Sequence, residues 1–252
     1  MKNTHTMENN EDNKMSLTEH LIELRKRLLR IIIALGVGFG VCFLFKDWIF
    51  DVITRPLTDV LPAESHLIYI SVTEAFFVYM KLSFFAALMV TSPFVLYQIW
   101  KFISPGLLPR EKKYVAPFVI SSSLLFIGGI LFGYFVVLPP AFKFFISFNS
   151  QYLQAMISFR EYLSLFVTFL LGFGISFELP VFIFFLAKLG VVNAKMLSKQ
   201  RKFAILFIFI LAAILTPSPD ALSQILMAIP LMFLYEISIF VAKVARKEKK
   251  TI

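Results

Sequence analysis

The amino-acid sequence predicts an all-α polytopic membrane protein with six transmembrane helices, on three observations. Hydrophobic residues make up 58% of the 252, phenylalanine alone numbers 31, and charged residues are only 16%. Soluble domains average about 45–50% apolar and about 25% charged residues. The apolar residues fall into six runs parted by polar turns, which suits one domain of helices needing ~20 apolar residues per crossing. The cations gather in alternate turns, so the net charge of +9 follows the positive-inside rule and points to a lipid bilayer, with no nucleic-acid partner.

The first 15 residues are polar and unpatterned, so a disordered tail is expected, and the lack of an apolar stretch or A-x-A site argues against a cleavable leader. The membrane domain is expected over 16–243 and a basic tail over 244–252. Ser16 with Glu19 has the capping-box form. Leu17, Leu21, Leu24 and Leu28 then recur at helical spacing and run into the first span, about 28–45. Glu23 lies on the other face with Glu19, Lys26 and Arg27. Residues 46–73 hold two cations against four acids, with Pro56 and Pro62 expected to break them into short pieces of a small helical cap. The second span, about 74–100, is expected to kink at Pro93. A turn with four cations, Lys101, Arg110, Lys112 and Lys113, and one acid, Glu111, leads to the third span, about 114–138, which Pro139-Pro140 is expected to stop.

A second outer loop covers 141–161, and the fourth span, about 162–187, carries Glu178. The fifth run, 203–215, has 13 residues. It reaches ~20 Å as a helix against a hydrocarbon core of ~30 Å, so it must thin the bilayer or hide in the bundle. The sixth span is about 221–242. Segments 1–30, 101–113, 188–202 and 243–250 hold six, four, five and five of the Lys and Arg residues, twenty in all, against four in the alternate segments. That split places both termini and the central turn in the cytoplasm. The single cysteine, Cys42, sits in an apolar run and is expected to be a packed thiol.

Glu178, deep in a span, must face protein or water; it is either a polar floor or proton-coupled site, or a hydrogen bond tying helices together, for instance through Gln224. Glu74 begins a helix, where an acid favours the dipole. Glu236 is expected to snorkel towards the tail lysines. The glycines of 36–40, 128–129 and 172–174 suit close helix packing. The three histidines are scattered, with no H-E-x-x-H, G-x-S-x-G or P-loop, so neither an enzyme nor any cofactor or metal is expected.

With these residues in view, the chain resembles the TatC family, the receptor core of the twin-arginine protein translocase. The likeness runs from about Ser16 to Lys243 and rests on HLIELRKRLLR (20–30), RPL (55–57), SPFVLYQIWKFISPGLLPREKK (92–113), SSSLLFIGGILFGYFVVLP (121–139), GFGISFELP (172–180), TPSPD with SQ (216–224) and AIPLMFLYEI (228–237). It implies six helices in a concave, glove-like bundle, with short fifth and sixth helices, in the bacterial cytoplasmic membrane. It implies a receptor that takes the paired arginines of a folded cargo's signal peptide at the cytoplasmic face. It also implies single-span partners of the TatA and TatB type and a homo-oligomer within a larger complex. The resemblance places signal-peptide binding at Glu23 and Glu111, with Phe102, Leu107, Arg25 and Leu17 adjoining. Glu178 matches the buried acid of the concave face, and Gln224 with the fifth helix matches the partner-contact region.

Guanidinium pairs with carboxylate in a planar, two-point fashion that lysine does not reproduce. Against this, Glu23 can pair with Arg27 at i,i+4 within its own helix, and Glu111 can serve as an acid in the first turn of the third helix. A proton-coupled secondary transporter using Glu178 is the alternative, although no internal repeat accompanies it.

Overall fold

The computed structural model describes residues 17–61, 67–104, 115–148, 156–216 and 221–247. Ten helical segments appear among them: α1 Leu17–Leu44, α2 Lys46–Thr58, α3 Glu74–Ile103, α4 Val115–Phe132, α5 Leu138–Ile146, α6 Phe159–Phe177, α7 Leu179–Leu189, α8 Ala194–Lys199, α9 Arg201–Leu215 and α10 Ala221–Lys247. One π turn, Gly133–Val137, joins α4 to α5. The chain is all-α and polytopic, with five helices among the described residues long and apolar enough to cross a membrane, within Thr18–Leu44, Glu74–Ile103, Val115–Ile146, Phe159–Leu189 and Ser223–Ala245. The shorter α9 joins them. The two-residue strands β1, Leu67–Ile68, and β2, Ile157–Ser158, pair in parallel between the connections before α3 and α6.

Several boundaries depart from the expectations. Pro139-Pro140 does not end the third crossing. The π turn shifts the hydrogen-bond ladder by one residue, so Leu138 donates to Gly133 and the prolines fall in the first turn of α5, where their missing donors are not needed. Pro56 does not break α2 either; it sits in its last turn. A proline there cannot donate to the carbonyl four residues back, and the Tyr134 hydroxyl donates to that Val52 oxygen instead, at 2.6 Å. The buried Tyr162 hydroxyl serves the next carbonyl, Ile53. The fourth crossing is two helices that meet at Glu178, because Pro180 opens α7. Gly190, at φ 82°, ends α7 in the left-handed conformation that glycine adopts without strain. The last helix, expected to be short, has 27 residues and continues past Lys243 to Lys247, because its apolar run extends straight into the basic tail.

The core centres on α6. Phe166, Phe169 and Phe173 are fully buried against Leu82 of α3, Ile130 of α4 and Met227 of α10. A side chain at Gly129 would come within 2.7 Å of the Phe173 carbonyl, so α4 and α6 cross closely there. Gly36, Gly40 and Gly128 have open space instead, so only some of the predicted glycines pack. Helix α1 packs mainly on α3 and leaves Leu21, Leu24 and Leu28 exposed, as a lipid-facing stripe requires. Cys42 is buried as expected. The 15 residues of α9 span ~22 Å. Phe203, Leu206, Phe207 and Ile214 are exposed, so the bundle does not hide this short helix.

Candidate functional site

The start of α1 and the end of α3 form one polar cluster. Glu23 and Arg27 stand one turn apart on α1, and the Arg27 guanidinium bonds Glu23 Oε1 through both Nε and Nη2. A third contact carries Arg27 across to α3, where Nη1 donates to Gln98 Oε1 at 3.2 Å. One turn further along α3, Phe102 stacks on His20, with ring centroids 4.3 Å apart and planes 21° apart. Arg27 and Gln98 are both buried, so the ion pair sits at the helix interface.

Glu23 is only half used. Its Oε2 is buried and takes no hydrogen bond among the described residues. Both Arg27 contacts converge on one oxygen, so the two-point geometry typical of guanidinium and carboxylate is not completed. The same side of α1 forms a cleft lined by Glu19, Ile22, Glu23, Lys26, Arg27 and Arg30.

Of the residues singled out from sequence, the structure therefore brings Glu23 and Phe102 into one cluster. Arg25 is exposed nearby on α1. Leu17 is the first residue of α1, with its side chain outside the described part. Glu111 and Leu107 lie outside the described residues. Sequence reasoning missed His20 and Gln98 as members. A buried amide in an otherwise apolar helix is the signal that could have found Gln98.

The intramembrane polar residues separate into two places. Glu178 is half-buried at the α6–α7 junction and hydrogen-bonds Ser122 of α4. Trp100 Nε1 of α3 donates to the Ser122 oxygen at 3.0 Å. Trp100 also stacks on Phe118, 4.8 Å between centroids. Glu178 Oε1 has no partner among the described residues. The partner suggested from sequence, Gln224, is elsewhere: its amide donates to the Phe209 carbonyl at 3.0 Å, pinning α10 to α9. Glu236 pairs with Arg201, at 2.8 Å, because the start of α9 comes up beside that turn of α10; the side chains of the tail lysines beyond residue 245 lie outside the described residues.

A family model described as Sec-independent protein translocase protein (TatC) matches residues 19–230. The chain belongs to the TatC family. The protein translocase TatC of Desulforapulum autotrophicum is 47% identical over 239 residues, covering 95% of this chain and 88% of its own length. That of Aquifex aeolicus is 42% identical over 240 residues, covering 94% of this chain and 99% of its own. A crystal structure described as the twin-arginine translocase receptor TatC superposes with a TM-score of 0.81 at 41% identity, covering 90% of this chain and all of that one. TatC membership makes this chain a membrane-embedded translocase component, a transport function and not a catalytic one.

Proposed function

We propose that this TatC-family chain is the subunit that recognises the signal, taking the paired arginines of a folded cargo's signal peptide onto carboxylates at the cytoplasmic rim. The observation that carries the reading is the half-used Glu23 carboxylate beside the Phe102–His20 stack. Arg27 holds one oxygen in place, and the other accepts a guanidinium from outside. Phe102 offers an aromatic face to the same ligand. Glu111 is assigned the second arginine on resemblance, with Leu107, Arg25 and Leu17 adjoining. Each charged hydrogen bond is worth about 1.5–3 kcal/mol, and less when exposed. Tight binding therefore also requires the apolar part of the signal to lie against the helices, at roughly 25 cal/mol per Å² buried.

The orientation follows the charge count, with both termini on the cytoplasmic side of the bacterial cytoplasmic membrane. Single-span partners of the TatA and TatB type are placed at α9 and α10 near Gln224, and the chain works as a homo-oligomer within a larger complex. Crosslinking of a twin-arginine peptide tests the proposal. Capture is expected to fall in Glu23→Ala, further in Glu23→Ala with Glu111→Ala, and on replacing Arg-Arg by Lys-Lys in the peptide. Undiminished, arginine-dependent capture by the double variant refutes it.

A further inference from the structure

A larger opening lies towards the other end of α3. Helices α1, α3 and α6 border an apolar cleft of ≈ 870 Å³ lined by Ile32, Phe39, Phe84, Leu88, Val167 and Leu171 among others, within the range of about 300–1,000 Å³ usual for ligand sites. Phe77 and Lys81, one turn apart on α3, line this cleft and also a polar one of ≈ 380 Å³ that includes Ser71, Thr73, Glu74 and Arg160. The two clefts thus share a sill, and the apolar groove opens into a polar mouth.

The charge of that mouth is positive. Glu74 is committed to the loops: Oε2 accepts from the amides of Ile70 and Ser71, and Oε1 from the Ser158 hydroxyl and the Arg160 amide. The Lys81 and Arg160 side chains enter no ion pair among the described residues. Lys81 stands seven residues into α3, ~10 Å along its axis. An ammonium at that depth needs an anion or a path to the interface, and here the residue borders both the apolar cleft and the polar one.

We propose that this pocket holds one anionic phospholipid, with its phosphate and headgroup among Lys81, Arg160 and the Ser71 and Thr73 hydroxyls and its acyl chains along the α1–α3–α6 groove. Two cations and two hydroxyls at one end of a greasy groove match the polarity of such a lipid. An apolar helix in the same place would leave both cations without a counter-ion.

The test uses the full chain, purified in detergent and stripped of lipid. It is titrated with phosphatidylglycerol or with phosphatidylcholine of the same chains, and bound lipid is counted by native mass spectrometry. The wild type is expected to retain one phosphatidylglycerol in preference to phosphatidylcholine. Lys81→Gln and Arg160→Gln are each expected to weaken that retention about five-fold, the scale of one cation near a lipid surface. Gly36→Leu is expected to weaken both lipids alike, because Gly36 borders the apolar cleft and a side chain there meets open space. Equal retention of the two lipids, no retention by the wild type, or undiminished phosphatidylglycerol binding in the Lys81→Gln, Arg160→Gln double variant overturns the proposal. So does a photocrosslinking residue at position 84 that captures the transmembrane helix of another protein in place of lipid.

Discussion

Glu74 and Glu23 stand near opposite ends of α3, and their carboxylates are used in opposite ways. Glu74 is saturated: four donors from two separate loops meet its two oxygens. It gathers the turn before α3 and the β2–α6 junction into one knot, beside the short β1–β2 pairing. Glu23 has one oxygen held by Arg27 and one with no described partner. A carboxylate whose lone pairs are all spent on backbone amides and a serine builds structure. One with capacity left over is able to take a ligand, at the cost of a buried oxygen awaiting its donor. Exposure alone would not separate the two, because Glu74 is buried and Glu23 nearly so.

That contrast predicts an order of effects. Glu74→Ala is expected to give the largest loss of thermal stability in detergent, since it strands two loops at once, while peptide capture per folded molecule stays intact. A variant that melts like the wild type would dissolve the contrast. Glu23→Ala leaves the buried Arg27 with Gln98 alone and is expected to cost about 3 kcal/mol, less than Glu74→Ala, and to reduce twin-arginine peptide capture per folded molecule strongly. Loss of stability matching that of Glu74→Ala would make Glu23 a structural residue. Tyr162→Phe, which leaves the Ile53 carbonyl without its hydroxyl donor, is expected to cost about 1–3 kcal/mol in denaturant titration. Arg25→Ala, on the exposed side of α1, is expected to change stability by less than about 0.5 kcal/mol, with any effect confined to peptide affinity.

Much of this was legible beforehand. The Leu21, Leu24 and Leu28 stripe gave the first helix its lipid-facing side, and the short run at 203–215 remained short as a helix. Proline was the poorest guide. Pro139-Pro140 and Pro56 both signal a stop, yet a π turn absorbs the first and a tyrosine from another helix compensates the second. The second remedy is not local in sequence: Tyr134 is 82 residues from Val52. The polar partners were harder still. Glu178 was assigned to the right span but found Ser122, and Gln98 went unnoticed because nothing near it in the chain marks it as the anchor of Arg27.

Hydrophobic content, run length and the placement of twenty cations are enough to settle that the chain is a helical membrane protein and to suggest which side its basic turns face. Those properties depend on residue identity and spacing along one helix, and free energies of transfer add up residue by residue. Which carboxylate is spent and which is spare was decided by the meeting of α1 with α3 and of the start of α3 with the start of α6. A hydrogen bond acts over about 3 Å, and its partners here, Arg27 with Gln98 or Glu74 with Ser158, are 71 and 84 residues apart. Only the packed helices bring them within that reach.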